Sequence, residues 1–294
     1  MNPISSILLD AGPDPSRHLN VLLLLGVAVF GGTVGARIFR RFRIPQIIGS
    51  ILIGLLIGQS GLRLVSEDVV QAVEPLNYFA LGIIGFLIGG ELKLEILRKY
   101  GRQFTAILVA EGVAAFTLVS GATILLAYLF THDLRMSVAL GVVLGAISSA
   151  TDPASTIQVL WEYKTRGVLT TAVIAVVALD DALALTLYAI GTSVAGILTG
   201  NAGSGVAAGL ATTAYELAVS LVVGCIGGFV LKAILVRLQD EDAELTFAVG
   251  AGLLAIGLSI ALELDVILAS MALGLTLANV APLRSPRTFV TVKR

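Results

Sequence analysis

The sequence predicts an all-α polytopic membrane protein. Of its 294 residues, 56% are hydrophobic and only 13% are charged, whereas soluble domains carry about 25% charged residues. The mean hydropathy is +0.96, and the apolar residues occur in runs of about 20, the length that crosses a hydrocarbon core of about 30 Å as a helix. We therefore expect one transmembrane domain over residues 1–294, with the lipid bilayer as its surroundings.

Nine apolar segments are predicted to cross the membrane. In chain order they are 19–39, 46–62, 76–97, 103–130, 135–160, 167–199, 206–236, 243–263 and 265–282. Lys and Arg cluster after the odd-numbered segments, within 37–43, 93–102, 164–166, 232–237 and 284–294. The alternate connections are acidic or uncharged. Because the Lys/Arg bias sets orientation, we predict an N-terminus outside the cell and a C-terminus in the cytoplasm.

The second and ninth segments resemble each other at an offset of 220 residues. When Pro45–Gln59 is set over Asp265–Asn279, the matches include Ile47 with Ile267, Ser50 with Ser270, and Gly54 with Gly274. The two segments are predicted to run in opposite directions, which is typical of inverted-repeat transporters.

On this pattern we expect 19–199 to be a first repeat, 206–236 a linker helix and 243–294 the start of a second repeat. At the same offset, the second copies of Thr151 and Asp181 would fall beyond residue 294. We therefore expect the chain to be the first part of a longer transporter, inert by itself.

The fifth segment contains a polar interruption that ends in proline. It reads Ser148-Ser149-Ala150-Thr151-Asp152-Pro153. Proline lacks an N–H and clashes with the carbonyl four residues earlier, and non-helical backbone at membrane depth is tolerated only when it is buried or lines a cavity. We predict a helix broken at 148–153, with Ser148, Ser149 and Pro153 lining the break. A simple proline kink stabilised by hydroxyl groups is the alternative.

The sixth segment carries two adjacent aspartates, Asp180 and Asp181, with no basic residue near them. They lie about 20 Å along the helix from its predicted start, at a depth similar to that of Asp152. An ionised carboxylate at the bilayer centre costs about 2.5–3.5 kcal/mol, so these groups must face water, an ion or a partner. Burial and a neighbouring carboxylate favour the protonated form, so the site suits a proton or a cation in competition. Adjacent side chains diverge by about 100°, so the two serve different partners.

Glu111 lies at shallower depth in the fourth segment. It is either an acid at a helix interface or part of a funnel through which ions enter.

Composition excludes several other classes of function. The net charge is −1, and Cys225 is the single cysteine, so no nucleic-acid partner, disulfide framework or metal cluster is indicated. The two histidines, His18 and His132, lie in predicted loops, so a catalytic triad or a zinc site would lack the histidine that it needs. We expect no enzymatic activity and no cofactor.

Four strings carry a resemblance to the monovalent cation:proton antiporter superfamily, which comprises sodium/proton exchangers and potassium-efflux relatives. They are RIPQIIGSILIGLLIG, FLIGGELKLEILRK, ATDPAST and ALDDALA. The resemblance implies an inverted-repeat antiporter fold that exchanges sodium or potassium for protons by alternating access, as a homodimer in the cell membrane.

The same resemblance implies residue roles. Asp181 would be the carrier of the monovalent cation and of the proton. Thr151 and Asp152 would line the crossing of two broken helices and, with Asp180, complete the predicted ion- and proton-binding site. Asp180 would form a salt bridge with a lysine on a later helix.

There are three alternatives to this interpretation, and the sequence argues against the last of them. A sodium-coupled organic-solute symporter has a similar architecture. A passive channel would also conduct cations, but the broken helix and the carboxylate pair favour a cycle of binding and release over an open pore. An intramembrane aspartyl protease also needs aspartates on neighbouring helices, but its Gly-x-Gly-Asp string does not occur in this sequence.

Overall fold

The structure, a computed structural model, describes residues 21–58, 61–62, 65, 67–200, 206–238 and 241–281. Within these ranges the chain is helical, without a β-strand, which confirms the predicted all-α class. The helices are α1 (Val21–Arg41), α2 (Gln46–Ile57), α3 (Glu67–Ala72), α4 (Glu74–Glu91), α5 (Leu94–Thr131), α6 (Leu134–Ser148), α7 (Pro153–Glu162), α8 (Val168–Thr199), α9 (Val206–Leu235), α10 (Glu241–Ala261) and α11 (Val266–Val280).

Six spans in the described residues are long and apolar enough to cross a membrane. They are α1, α5, α6 together with α7, α8, α9 and most of α10. The apolar helices α2 and α11 are shorter, with 12 and 15 residues. The multi-pass architecture is therefore confirmed, and the count of nine crossings stays a prediction. His18, the 201–205 segment and the basic residues 284–294 lie outside the described residues.

Helix α5, which contains the fourth predicted segment, begins earlier than the sequence predicts. We expected a basic connection from residue 98 to residue 102, but α4 ends at Glu91 and α5 runs for 38 residues from Leu94. At 1.5 Å per residue α5 is about 57 Å long, well beyond a hydrocarbon core of about 30 Å. We therefore expect its basic first turns to extend beyond the apolar layer. The short helix α3 was not predicted.

The chain divides into two compact units. The first comprises Met1–Asn77 and Trp161–Tyr163, and its described part contains α1 and α2 in contact. Gly35 faces Gly49 there so closely that a Cβ at Gly35 would lie 2.7 Å from the Gly49 carbonyl oxygen. Small residues allow this approach between apolar helices. The Oε2 atom of Glu162 accepts the Gln46 N–H at 3.0 Å, at the start of α2.

The second unit comprises Tyr78–Leu160 and Lys164–Arg294. In it α6 packs against α5 and α8, and α11 packs against α9 and α10. Its longest runs of buried residues are Gly85–Gly89 of α4, Ile174–Ala178 of α8 and Ala269–Gly274 of α11. Asn279 fixes the C-terminal end of α11, because its side chain accepts the Leu94 N–H at 2.9 Å and donates to the Leu92 carbonyl at 3.1 Å.

The two segments aligned as a repeat form helices that begin at equivalent positions. Pro45 precedes α2 and Asp265 precedes α11, and these residues are paired at the offset of 220. The division into repeats and a linker helix stays a prediction.

Candidate functional site

The predicted break lies between α6 and α7. The first helix ends at Ser148 and the second begins at Pro153. The Ser148 hydroxyl donates to the Gly145 carbonyl at 2.8 Å, and the buried Ser149 hydroxyl donates to the Ala146 carbonyl at 2.7 Å. These bonds satisfy carbonyls that lose their helical partners at the end of α6. The three residues predicted to line the break thus form its two ends.

Asp152 caps the second half of the broken helix. Its Oδ1 accepts the Ala154 N–H at 2.9 Å, and its Oδ2 accepts the Ser155 N–H at 3.1 Å and the Ser155 hydroxyl. Aspartate before a proline at the first helical position is a common helix start. Asp152 is exposed, and both of its oxygens serve the cap.

Thr151 ties the break to Asp180 of α8. The Thr151 N–H and hydroxyl both donate to the same carboxylate oxygen, Oδ2, at 2.6 Å each. Asp180 is completely buried, with 0% of its side chain exposed. Its other oxygen, Oδ1, is buried and has no hydrogen-bond partner among the described residues. A buried carboxylate oxygen left without a donor is costly, so Oδ1 is a place for a cationic or N–H partner.

Asp181 faces a different environment from its neighbour. It is half-buried and lines a cavity of about 270 Å³. Its side chain has no hydrogen bond within the described part of the chain. The predicted divergence of the two aspartates is therefore present: one carboxylate is bound to the break, and the other opens to a cavity.

The wall of this cavity is mostly apolar. The side chains that surround Asp181 come from the end of α6, the break and the next turns of α8: Ala146, Ile147, Ala150, Leu185 and Tyr188. The start of α11 completes the wall with Asp265 and Ile267. The described lining contains no basic side chain, so a guest cation would meet carboxylates there. No group of three or more His, Cys, Asp or Glu residues suited to a metal ion occurs in the described residues.

Asp265 was not identified as a site residue from the sequence, where it appears as a charge in a predicted outer connection. It is the N-cap of α11, with Oδ1 accepting the Leu268 N–H at 2.6 Å. A signal was present, because Asp265 begins the segment aligned with the second predicted span. Glu111, by contrast, is exposed on α5 and does not line the cavity.

The chain is similar in sequence to known membrane transport proteins. The profile of a family described as "Sodium/hydrogen exchanger, transmembrane" matches residues 25–288. A sodium/proton antiporter of Enterococcus hirae is 36% identical over 94 residues, which cover 31% of this chain and 23% of that protein. The iron transporter MagA of Paramagnetospirillum magneticum is 32% identical over 146 residues, or 50% of this chain and 30% of that protein.

A solved structure has the same fold. The sodium/proton antiporter MjNhaP1 of Methanocaldococcus jannaschii, determined at pH 8, superposes with a TM-score of 0.63 at 20% identity. The superposition covers 92% of this chain and 65% of that one. The chain thus spans less than two thirds of the length of each of these relatives.

Proposed function

The chain belongs to the transmembrane sodium/hydrogen exchanger family, and from this premise we propose that it carries out exchange of a monovalent cation, sodium or potassium, for protons by alternating access. The observation that carries the proposal is Asp181, a membrane-helix carboxylate without a hydrogen bond among the described residues that opens to a cavity beside a broken helix. An acid at this depth is costly unless water or an ion reaches it.

Asp181 is the proposed carrier. A carboxylate in a largely apolar cavity binds either a proton or a cation, and the two compete for it. This competition produces exchange when the cavity opens alternately to the two sides of the membrane. Each cation that binds displaces a proton, and each proton that returns displaces the cation.

Asp180 has a separate proposed role. Its bonds from Thr151 hold the break against α8, so it positions the helix that carries Asp181 relative to the break. Its second oxygen, Oδ1, suits the lysine that the family resemblance implies. Thr151 and the capping residue Asp152 shape the break, and Asp181 is the direct ligand of the ion.

The remaining features of the proposal rest on charge and resemblance. The basic connections favour an outside N-terminus and a cytoplasmic C-terminus. The resemblance to cation:proton antiporters implies a homodimer in the cell membrane. Glu111 is exposed on α5, and a role in the funnel through which ions enter remains a proposal.

Asp181→Asn tests the proposed function. Everted membrane vesicles are prepared from cells that express the full-length gene product carrying this chain, and a dye reports the pH gradient. With the unaltered protein, addition of sodium or potassium should release protons from the vesicle interior. Asp181→Asn should abolish this release, because a side-chain amide does not take up and give off a proton as a carboxylate does.

The matched control is Glu95→Gln, which removes an exposed carboxylate in the first turn of α5 and should leave the release unchanged. Normal release by well-folded Asp181→Asn would reject the carrier assignment. Cation movement that requires an organic solute, rather than proton release, would instead support the symporter alternative.

A further inference from the structure

The cavity beside Asp181 contains a second carboxylate. Asp265 at the start of α11 lines the same space of about 270 Å³ as Asp181. The two residues come from helices far apart in the chain, so their convergence is a property of the fold. The other residues that line the cavity are mainly apolar, such as Ala184 and Ile267.

Helix capping uses only one of the two carboxylate oxygens of Asp265. Its Oδ1 atom accepts the Leu268 N–H, a bond that serine, threonine or asparagine would make as well. The structure gives Oδ2 no hydrogen bond within the described residues, and the side chain is half-buried. One oxygen of a carboxylate that lines the cavity is therefore left without a donor among the described residues.

The position of Asp265 is held from a second side. Its backbone N–H donates to the Ser220 hydroxyl at 3.1 Å, and that hydroxyl donates in turn to the Glu216 carbonyl at 2.6 Å. Ser220 is completely buried in α9. The carboxylate is thus positioned before any ion arrives, which lowers the entropic cost of binding.

A carboxylate in a cleft with apolar walls raises the local concentration of cations, because the walls focus its field. Asp265 directly precedes α11, on the side of the molecule where the connection from α10 enters that helix. In the predicted orientation this is the outer side. A cation that entered the cavity from that side would therefore meet the Asp265 carboxylate.

We infer that Asp265 is a second cation-binding carboxylate of the cavity, which attracts a monovalent cation and delivers it to Asp181. The inference rests on the proposed function for the direction of transport. The binding role of Asp265 does not depend on the proposed function, since two carboxylates in one cavity would bind a cation whether or not exchange follows.

The test measures cation binding by the purified full-length gene product in detergent. The apparent Kd for sodium and for potassium is taken from the rise in Tm with each chloride salt, with choline chloride keeping the ionic strength constant. We expect Asp265→Asn to keep the cap and to raise the apparent Kd roughly tenfold. Asp265→Glu should keep it near the original value.

Glu263→Gln is the matched control, because Glu263 is an exposed acid two residues earlier that does not line the cavity. It should leave the apparent Kd unchanged. Asp265→Ser, which also preserves a cap, guards against a folding defect specific to asparagine and should weaken binding as Asp265→Asn does.

The outcomes separate this inference from the proposed function. An unchanged apparent Kd in both folded neutral variants, or no stabilisation of the unaltered protein by either cation, overturns the inference. Absence of cation-driven proton release in vesicles, with a weakened apparent Kd in Asp265→Asn, rejects exchange and supports the binding role. If exchange is present, Asp265→Asn should raise the KM for the cation and leave the maximal rate nearly unchanged.

Discussion

The break between α6 and α7 and the start of α11 each place an aspartate at a helix N-terminus, but they use it differently. At the break, both oxygens of Asp152 accept hydrogen bonds from the first turn of α7, and the side chain is exposed. At the start of α11, only Oδ1 of Asp265 is engaged within the described residues, and the side chain lines a cavity. The same capping motif thus leaves a free oxygen in one region and none in the other.

The neighbouring pair on α8 shows the same contrast. Asp180 gives one oxygen to two bonds from Thr151 at the break, while Asp181 opens to the cavity with Asp265. The comparison teaches that the carboxylates bound to the break organise its backbone, although Asp180 keeps one buried oxygen without a donor among the described residues. The carboxylates that line the cavity can instead meet a guest that enters it. Sequence position alone does not distinguish these roles, because Asp180 and Asp181 are adjacent.

The largest expected effect on stability comes from Asp180→Asn. The two bonds from Thr151 would lose their charge assistance, at about 1 kcal/mol each, or about 2 kcal/mol in total. For a chain of this size the Tm should fall by roughly 5 °C, measured by scanning fluorimetry of the detergent-purified protein. Some cation-driven proton release should remain in vesicles, unlike in Asp181→Asn.

Two results would break the contrast between Asp180 and Asp181. A rise in Tm would show that burying the Asp180 charge costs more than its bonds return. Loss of proton release equal to that of Asp181→Asn, in well-folded protein, would show that both aspartates act directly on the ion.

Much of this architecture could be predicted from the sequence, because the responsible forces are local. Hydropathy and helix length identify the apolar helices, and the proline with its hydroxyl neighbours identifies the break at Ser148–Pro153. The capping role of Asp152 also has a local signal in the sequence, since an aspartate that directly precedes a proline is typical of a helix start. The resemblance distinguished Asp181 from Asp180, which periodicity alone could not do.

The contacts between different helices could not be predicted from the sequence. The double hydrogen bond from Thr151 to Asp180 depends on how α8 crosses the break, and the approach of Asp265 to the Asp181 cavity depends on the packing of α11. Such contacts join residues 29 positions apart in the first case and on separate helices in the second. No periodic pattern or motif records a distance of this kind.

Thr151→Val should have the next largest effect. Valine has nearly the same shape, keeps the backbone N–H bond to Asp180 and removes the hydroxyl bond, so we expect a loss of about 1.5 kcal/mol. A double-mutant cycle sharpens the comparison: Thr151→Val should be non-additive with Asp180→Asn, because they share a bond. It should be nearly additive with Asp181→Asn.

Thr151→Ser is the matched control, since it retains the hydroxyl and should restore most of the stability. Coupling of Thr151→Val to Asp181→Asn as strong as its coupling to Asp180→Asn would contradict the separation of the two aspartates into a break-facing and a cavity-facing group.

The smallest expected effect belongs to Asp152→Ala. Loss of the cap should cost about 1 kcal/mol, and Asp152→Asn should recover most of it because the amide oxygen still accepts from the first turn of α7. Because both Asp152 oxygens already serve the cap, neither variant should change the apparent Kd for sodium or potassium, measured as for Asp265→Asn. The two asparagine substitutions remove the same charge from the same kind of helix start, so only the position relative to the cavity differs between them. A weakened apparent Kd in Asp152→Asn, as large as that in Asp265→Asn, would show that the break itself binds the cation, and Asp152 would then be the ion ligand that the sequence predicts.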